Sequence, residues 1–282
     1  MTILIAKPHL REPWGNPGDE RVFVHCRLDE MRGTSGSEEE KRLRRPQYEQ
    51  AKRAGDMTAA VSLVQRCAND AVIDLIVDAL LKGAGEPTIV FPHPSFDDED
   101  ADGAKSVQQR RPSNAIPFAF GNYLGQVLGC TVNVSIVQAA RSSRTKLGLF
   151  PRFLWQPRFV GDVIPGAPYI LADDVVTSGG TLAALRTHIL QGGGVVIAAT
   201  SLSHKDGTHQ KFAIRPETLS SLGVKYGTGF SPYWLETIGH VPGCLCEPEG
   251  QFLIRWDAEG STGDERLLSL RTRLAEAAAR GE

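Results

Sequence analysis

No apolar run in this 282-residue chain approaches the roughly 20 residues that a membrane-crossing helix needs. The stretch Thr2-Ile-Leu-Ile-Ala6 meets Lys7 and Pro8 at once, too soon to be the apolar centre of a signal peptide. The expected location is therefore the cytoplasm, with no membrane partner. Charge of neither sign is in excess. The formal net charge is -2, which gives no global field to draw the chain to nucleic acid. Cysteine is sparse: the five residues Cys26, Cys67, Cys130, Cys244 and Cys246 are scattered and odd in number, which argues against a disulfide framework. Cys244-Leu-Cys246 has no second pair at zinc spacing, so these are expected to be inert reduced thiols. Internal repeats are also lacking. Hydrophobic residues at 41% and charged residues at 23% place the chain among ordinary globular proteins, large enough for one core and a modest accessory part.

Residues 1–47 read as an N-terminal accessory arm, with one short strand over Val22-Phe-Val-His-Cys26 and a charged loop from Gly33 to Arg45. Residues 48–205 read as the core and 206–282 as a C-terminal hood with a closing helix. Asp56 can cap a helical pattern that runs to Gly83, as one long helix or two short ones. Short apolar runs then alternate with helical ones. Strands are expected at Thr88–Pro92, Val132–Val137, Tyr169–Ala172 and Val195–Thr200, and helices at Asn114–Leu128 and Thr181–Gln191. Right-handed crossovers would gather those strands into one parallel sheet with helices on both faces, an α/β, Rossmann-like architecture. Its ligands would bind beyond the carboxyl ends of the strands. Near the C-terminus, Thr262-Gly-Asp-Glu265 has the spacing of a capping box.

The chemistry concentrates in Asp173-Asp-Val-Val-Thr-Ser-Gly-Gly-Thr181. Glycines let the backbone approach a phosphate, and N–H groups at a helix start point at the anion. The hydroxyls of Thr177, Ser178 and Thr181 add donors. Ionised aspartates only accept hydrogen bonds, which suits a vicinal diol, each such bond being worth about 1.5–3 kcal/mol. A diol acceptor a few residues before a phosphate cradle describes a ribose 5-phosphate site.

This segment resembles the binding motif for 5-phosphoribosyl-1-pyrophosphate (PRPP) in type I phosphoribosyltransferases, and the order of elements is similar over roughly residues 86 to 205. Looser likeness to bacterial phosphoribosyltransferase-like proteins lies in Tyr48-Glu-Gln-Ala-Lys-Arg-Ala-Gly-Asp56, Pro216-Glu-Thr-Leu219 and Leu235-Glu-Thr-Ile-Gly239. The resemblance implies a type I phosphoribosyltransferase core. Asp173 and Asp174 would hold the ribose hydroxyls and face Mg²⁺, while Val175, Val176, Thr177, Ser178, Gly179, Gly180 and Thr181 would wrap the 5′-phosphate. It also implies a pyrophosphate loop at Pro92-His-Pro-Ser95, with Pro94 and Ser95 against the anion, although five acids crowd the following 96–102. Between Gln138 and Val160 there is no acid but five bases, Arg141, Arg144, Lys146, Arg152 and Arg158, in the place of a closing flap. Arg141 and Arg144 are the favoured flap residues. Lys205 would reach the acceptor base or simply lie on the surface, and Tyr233-Trp234 would cover that base or pack as core. The implied activity is Mg²⁺-dependent transfer of phosphoribosyl from PRPP to an acceptor, a nucleobase nitrogen by this reading, with pyrophosphate released. The alternative is a PRPP-sensing regulator or binding module without turnover. A homodimer is common among such proteins.

Overall fold

The computed structural model describes residues 11–82, 85–93, 114–139 and 148–279. At its centre lies a six-stranded sheet in the order β3-β2-β6-β7-β1-β8. Its strands are β1 (Arg21–Arg27), β2 (Thr88–Val90), β3 (Thr131–Val132), β6 (Pro168–Val175), β7 (Val195–His204) and β8 (Gln210–Lys211). All neighbours run parallel except β8, which is antiparallel to β1. Two further strands, β4 (Val137–Gln138) and β5 (Phe159–Val160), pair antiparallel in a separate ribbon.

Side-chain alternation sends Ile89, Ile170 and Ala172 to one face of the sheet and Val90, Tyr169 and Leu171 to the other. Helices α3 (Met57–Cys67), α4 (Asp70–Leu80) and α5 (Ile116–Leu128) cover the first face, and α7 (Gly180–Gln191) covers the second. Burial on both sides is what permits an almost wholly parallel sheet. A third core joins α6 (Leu149–Leu154), α8 (Pro216–Tyr226), α9 (Phe230–Ile238), α10 (Glu247–Arg255) and α11 (Gly263–Ala279) around Phe153, Tyr226, Trp234, Leu253 and Leu270. Trp234 is fully buried there, so it packs as core and covers no ligand. The capping box before α11 forms: Glu265 N–H donates to Thr262 Oγ1 at 3.2 Å, and Thr262 N–H to Glu265 Oε2 at 3.0 Å.

Three expectations need correction. The charged loop over Gly33–Arg45 is largely helical, with α1 (Leu28–Arg32) leading into α2 (Glu38–Arg53). Ser37 caps α2 reciprocally with Glu40, acids fill its first turn, and Glu38–Lys41, Glu40–Arg44 and Glu49–Arg53 pair along it. A charge run spaced this way is a solvated helix face. The single strand expected over Val132–Val137 splits into β3 and β4. Asn133 Oδ1 accepts from the N–H groups of Ser135 and Ile136 at 2.8 and 3.0 Å, and this side-chain turn lifts the chain out of the sheet. Finally, residues 1–47 are no peripheral arm where they are described: β1 lies inside the sheet between β7 and β8.

The segment before β1 is fastened to α7 by a buried ion pair. Arg186 Nε and Nη2 donate to the two Asp19 carboxylate oxygens at 2.5 and 2.7 Å. Its Nη1 and Nη2 also donate to the Glu12 and Pro13 carbonyls at 2.9 and 2.7 Å, and the guanidinium lies 4.5 Å from the Trp14 ring centroid. Removing one partner of such a pair strands a charge in low dielectric. Arg186→Met should therefore lower unfolding free energy by roughly 3–5 kcal/mol, read from urea denaturation; a loss well under 1 kcal/mol would show the clamp to be dispensable.

Candidate functional site

The chain leaves β2 toward α5 on one face of the sheet and leaves β6 toward α7 on the other. Where neighbouring parallel strands send their connections to opposite faces, a crevice opens beyond their carboxyl ends. A cleft of about 450 Å³ occupies that place. The size is ordinary for a small-molecule site.

Asp173, Asp174, Val175, Val176, Thr177, Ser178, Gly179, Gly180 and Thr181 all line this cleft. Strand β6 runs further than expected, through Val175, so both aspartates sit on its last turns of pleat with their backbones fixed by pairing to β7. Thr177 is exposed, and Ser178 to Gly180 are buried. Gly179 has φ +83°, where an L side chain is strained, and a Cβ there would lie 3.1 Å from Cys246 Sγ. A Cβ on Gly180 would stand 2.7 Å from Glu249 Oε1 and 3.1 Å from Arg11 Nη2. The loop thus rests directly on a second buried pair: Arg11 Nη1 and Nη2 donate to Glu249 at 2.5 and 3.0 Å, and Glu249 also accepts from Cys246 N–H at 2.9 Å. Burial alone would lower the Arg11 pKa, but the facing Glu249 carboxylate outweighs it and pushes it up.

The two aspartates stand in unlike surroundings. Asp174 Oδ2 accepts from Lys52 Nζ at 2.5 Å and from Asn114 Nδ2 at 2.8 Å. Burial would push its pKa up, yet the Lys52 charge and these hydrogen bonds hold it below the ordinary carboxylate range. Asp173 is pushed well above that range by burial and by the neighbouring Asp174 charge.

Several residues that sequence reasoning did not assign complete the walls: Leu28 and Arg32 from α1, Tyr48 and Lys52 from α2, Asn114 ahead of α5, and Gln138. Tyr48 and Lys52 are four apart and so share one helix face. They fall in the Tyr48–Asp56 stretch whose likeness was visible but carried no role. Pro92 and His93 also line the cleft, with the buried His93 ring packed 4.7 Å from the Phe118 ring centroid. Of the basic stretch, Arg152 reaches the site, donating to Thr177 Oγ1 at 3.0 Å, whereas Arg158 is exposed and does not line the cleft. Arg141, Arg144, Lys146, Pro94 and Ser95 and the acidic 96–102 lie outside the described residues.

Lys205 is not brought to the cleft. Strand β7 continues to His204, and Lys205 is exposed in the tight turn closed by Gly207 N–H to His204 O at 3.2 Å. Of the two places the resemblance left for this lysine, the acceptor base or the surface, the structure has the surface.

The opposite shifts of the two carboxyls have opposite consequences for stability. Asp174 binds its proton more weakly when folded, so it stabilises above its unfolded pKa and loses that as pH falls through the folded value. Asp173 binds its proton more tightly when folded, so stability falls as pH rises from the unfolded pKa of about 4 toward the folded value. At pH 7, Asp173→Asn should raise the thermal midpoint by a few degrees, and Asp174→Asn should lower it. Shifts of the same sign would refute the asymmetry.

No protein-family model matches the chain. In sequence it is similar to Protein TraN of Escherichia coli, 35% identical over 195 residues, which is 69% of this chain and 40% of TraN. It is also similar to a Haemophilus influenzae protein described as uncharacterized, 35% identical over 148 residues, 52% of this chain and 29% of that protein. The chain thus spans less than half the length of either relative. Among solved structures, adenine phosphoribosyltransferase from Thermoanaerobacter pseudethanolicus aligns with TM-score 0.30 and 16% identity, over 53% of this chain and 86% of that one. The adenine phosphoribosyltransferase of Leishmania donovani aligns with TM-score 0.30 and 18% identity, over 78% of this chain and 81% of the other.

Proposed function

We propose that the cleft binds PRPP with Mg²⁺ on a type I phosphoribosyltransferase scaffold, and that the chain transfers the phosphoribosyl group to a nucleobase nitrogen, releasing pyrophosphate. One observation carries this reading: two strand-end carboxylates and a Thr-Ser-Gly-Gly-Thr helix start line the same cleft at the switch point of a parallel sheet. The 5′-phosphate would sit at the start of α7, against the N–H groups of the loop, with Arg152 adding charge beside Thr177. Asp173 and Asp174 would accept from the ribose 2′- and 3′-hydroxyls.

Mg²⁺ takes oxygen ligands, commonly one or two carboxylates beside substrate phosphates, and Asp173, whose proton the ion would displace, fits that part better than Asp174, which Lys52 and Asn114 already engage. The ion would supply charge neutralisation on the pyrophosphate. In the reaction, the acceptor nitrogen forms its bond to C1 as the C1–oxygen bond breaks and its electron pair leaves with pyrophosphate, through an oxocarbenium-like transition state. The residues of this chain would align C1 and hold the leaving group, with no covalent enzyme intermediate.

A second reading, a PRPP-sensing module without turnover, is favoured by the pyrophosphate side of the cleft. Of the expected Pro92–Ser95 loop, the described Pro92 and His93 bring no permanent cation.

Calorimetric titration of PRPP should show binding that strengthens with Mg²⁺, and Asp173→Asn with Asp174→Asn should abolish it while far-UV dichroism stays unchanged. Unchanged affinity in that double variant would sink the assignment. A screen of nucleobases for pyrophosphate release then separates the two readings: release with any base identifies the enzyme.

A further inference from the structure

Lys52 belongs to α2, outside the strand–loop–helix segment, yet its ammonium forms an ion pair with Asp174. It sits 2.5 Å from Asp174 Oδ2, with 22% of its side chain still exposed against 9% for Asp174. The same Oδ2 accepts from Asn114 at 2.8 Å. An oxygen with two donors has little capacity left for a ribose hydroxyl. Asp174 therefore has one oxygen, Oδ2, already engaged from within, and its charge is tied to Lys52. Lysine is a compact charge on a flexible stem and can change partners without moving the backbone. Asn114 cannot neutralise Asp174, so whatever draws Lys52 away must carry negative charge of its own. Arg32, on α1, lines the same cleft and is exposed, so the α1–α2 wall is cationic, whereas the described Pro92 and His93 at the β2 end bring no permanent cation.

We propose that Lys52 is a counter-ion that exchanges partners and thereby selects the ligand. With the cleft empty it neutralises Asp174. When a ribose 5-phosphate bearing a 1-pyrophosphate enters, Lys52 moves to the pyrophosphate oxygens and Asp174 becomes available to a ribose hydroxyl. A ribose 5-phosphate without pyrophosphate leaves Lys52 on Asp174, so a hydroxyl meets a carboxylate whose Oδ2 is taken and whose charge is already neutralised. Lys52 is thus a specificity-determining residue that makes diol recognition conditional on the pyrophosphate. This rests on the PRPP reading above.

The test compares PRPP with ribose 5-phosphate by calorimetry, with and without Mg²⁺, in the full chain and in Lys52→Met, Lys52→Gln and Lys52→Arg, each checked for folding by dichroism and thermal melting. Lys52→Met and Lys52→Gln should weaken PRPP by roughly 10- to 100-fold, the loss of one charged hydrogen bond, while ribose 5-phosphate binds as well as before or better. Lys52→Arg should recover most of the PRPP affinity. Parallel loss of both ligands in folded Met and Gln variants, or no loss of PRPP, overturns the exchange and leaves the PRPP site standing. A wild-type chain that binds neither ligand overturns the PRPP reading and the exchange with it.

Discussion

The buried pair Arg11–Glu249 holds the back of the Thr177–Thr181 loop, and the front of the cleft is shaped by what that pair allows. Its side chains are 2% and 3% exposed, so two full charges have been taken out of water. Such a pair contributes little net stability against an apolar substitute, because desolvation offsets most of the attraction. What it fixes is geometry. Arg11 also donates to Gln156 and Glu249 also accepts from Cys246, so neither side chain can shift without leaving a charge unsatisfied. Gly180 lies in contact with this assembly, and even a methyl group in its place would collide with the carboxylate. The loop is thereby pressed into one conformation without needing a ligand to order it, which reduces the entropy lost on binding.

Arg186–Asp19 performs a related task one helical turn and more beyond the loop, tying the body of α7 to the segment ahead of β1. The two pairs place opposite ends of one short N-terminal stretch against the phosphate loop and against its helix. The aspartate side of the cleft is arranged differently. There Asp174 is buried but its partner Lys52 stays partly exposed, both line the cavity, and burial with the neighbouring Asp174 charge favours the proton on Asp173. Rigid support behind the Thr177–Thr181 loop and a partly exposed lysine at the aspartates fit the proposed cleft, whose phosphate end would anchor and whose diol end would discriminate.

What was legible in the sequence was local. The Asp173–Thr181 segment carries its strand, its glycines and its helix start in consecutive residues, and every one of them lines the cleft. Helix after Asp56, as one piece or two, the helix ending at Leu128 and the capping box at Thr262 were readable for the same reason: caps and periodicity act over a few residues. Strand β1 was readable as a strand but not as a sheet member, since its partners Val22–Ala199 and Phe23–Thr200 are remote in sequence. The helical nature of α2 was masked by its charge, which suggested a loop while its spacing encoded paired turns. Lys52 was hidden most completely, because its partner lies 122 residues away and no spacing rule connects a helix face to a strand end. For Lys205 the sequence left the acceptor base and the surface both open, and the continuation of β7 to His204 decides for the surface.

The span of the Arg11–Glu249 contact, 238 residues, also bears on when the site can exist. Loop closure over so long a segment is entropically costly and slow, and contacts of this kind form late. During synthesis the strand–loop–helix segment emerges well before residue 249, so it must wait without its rear support while nearly seventy further residues are added. The glycines that suit the loop to an anion also leave it loosest in that interval. Assembly of the cleft is therefore a late closing event, one that joins the segment at Arg11 to the last third of the chain, and a nascent chain stopped short of α10 holds the motif without the site.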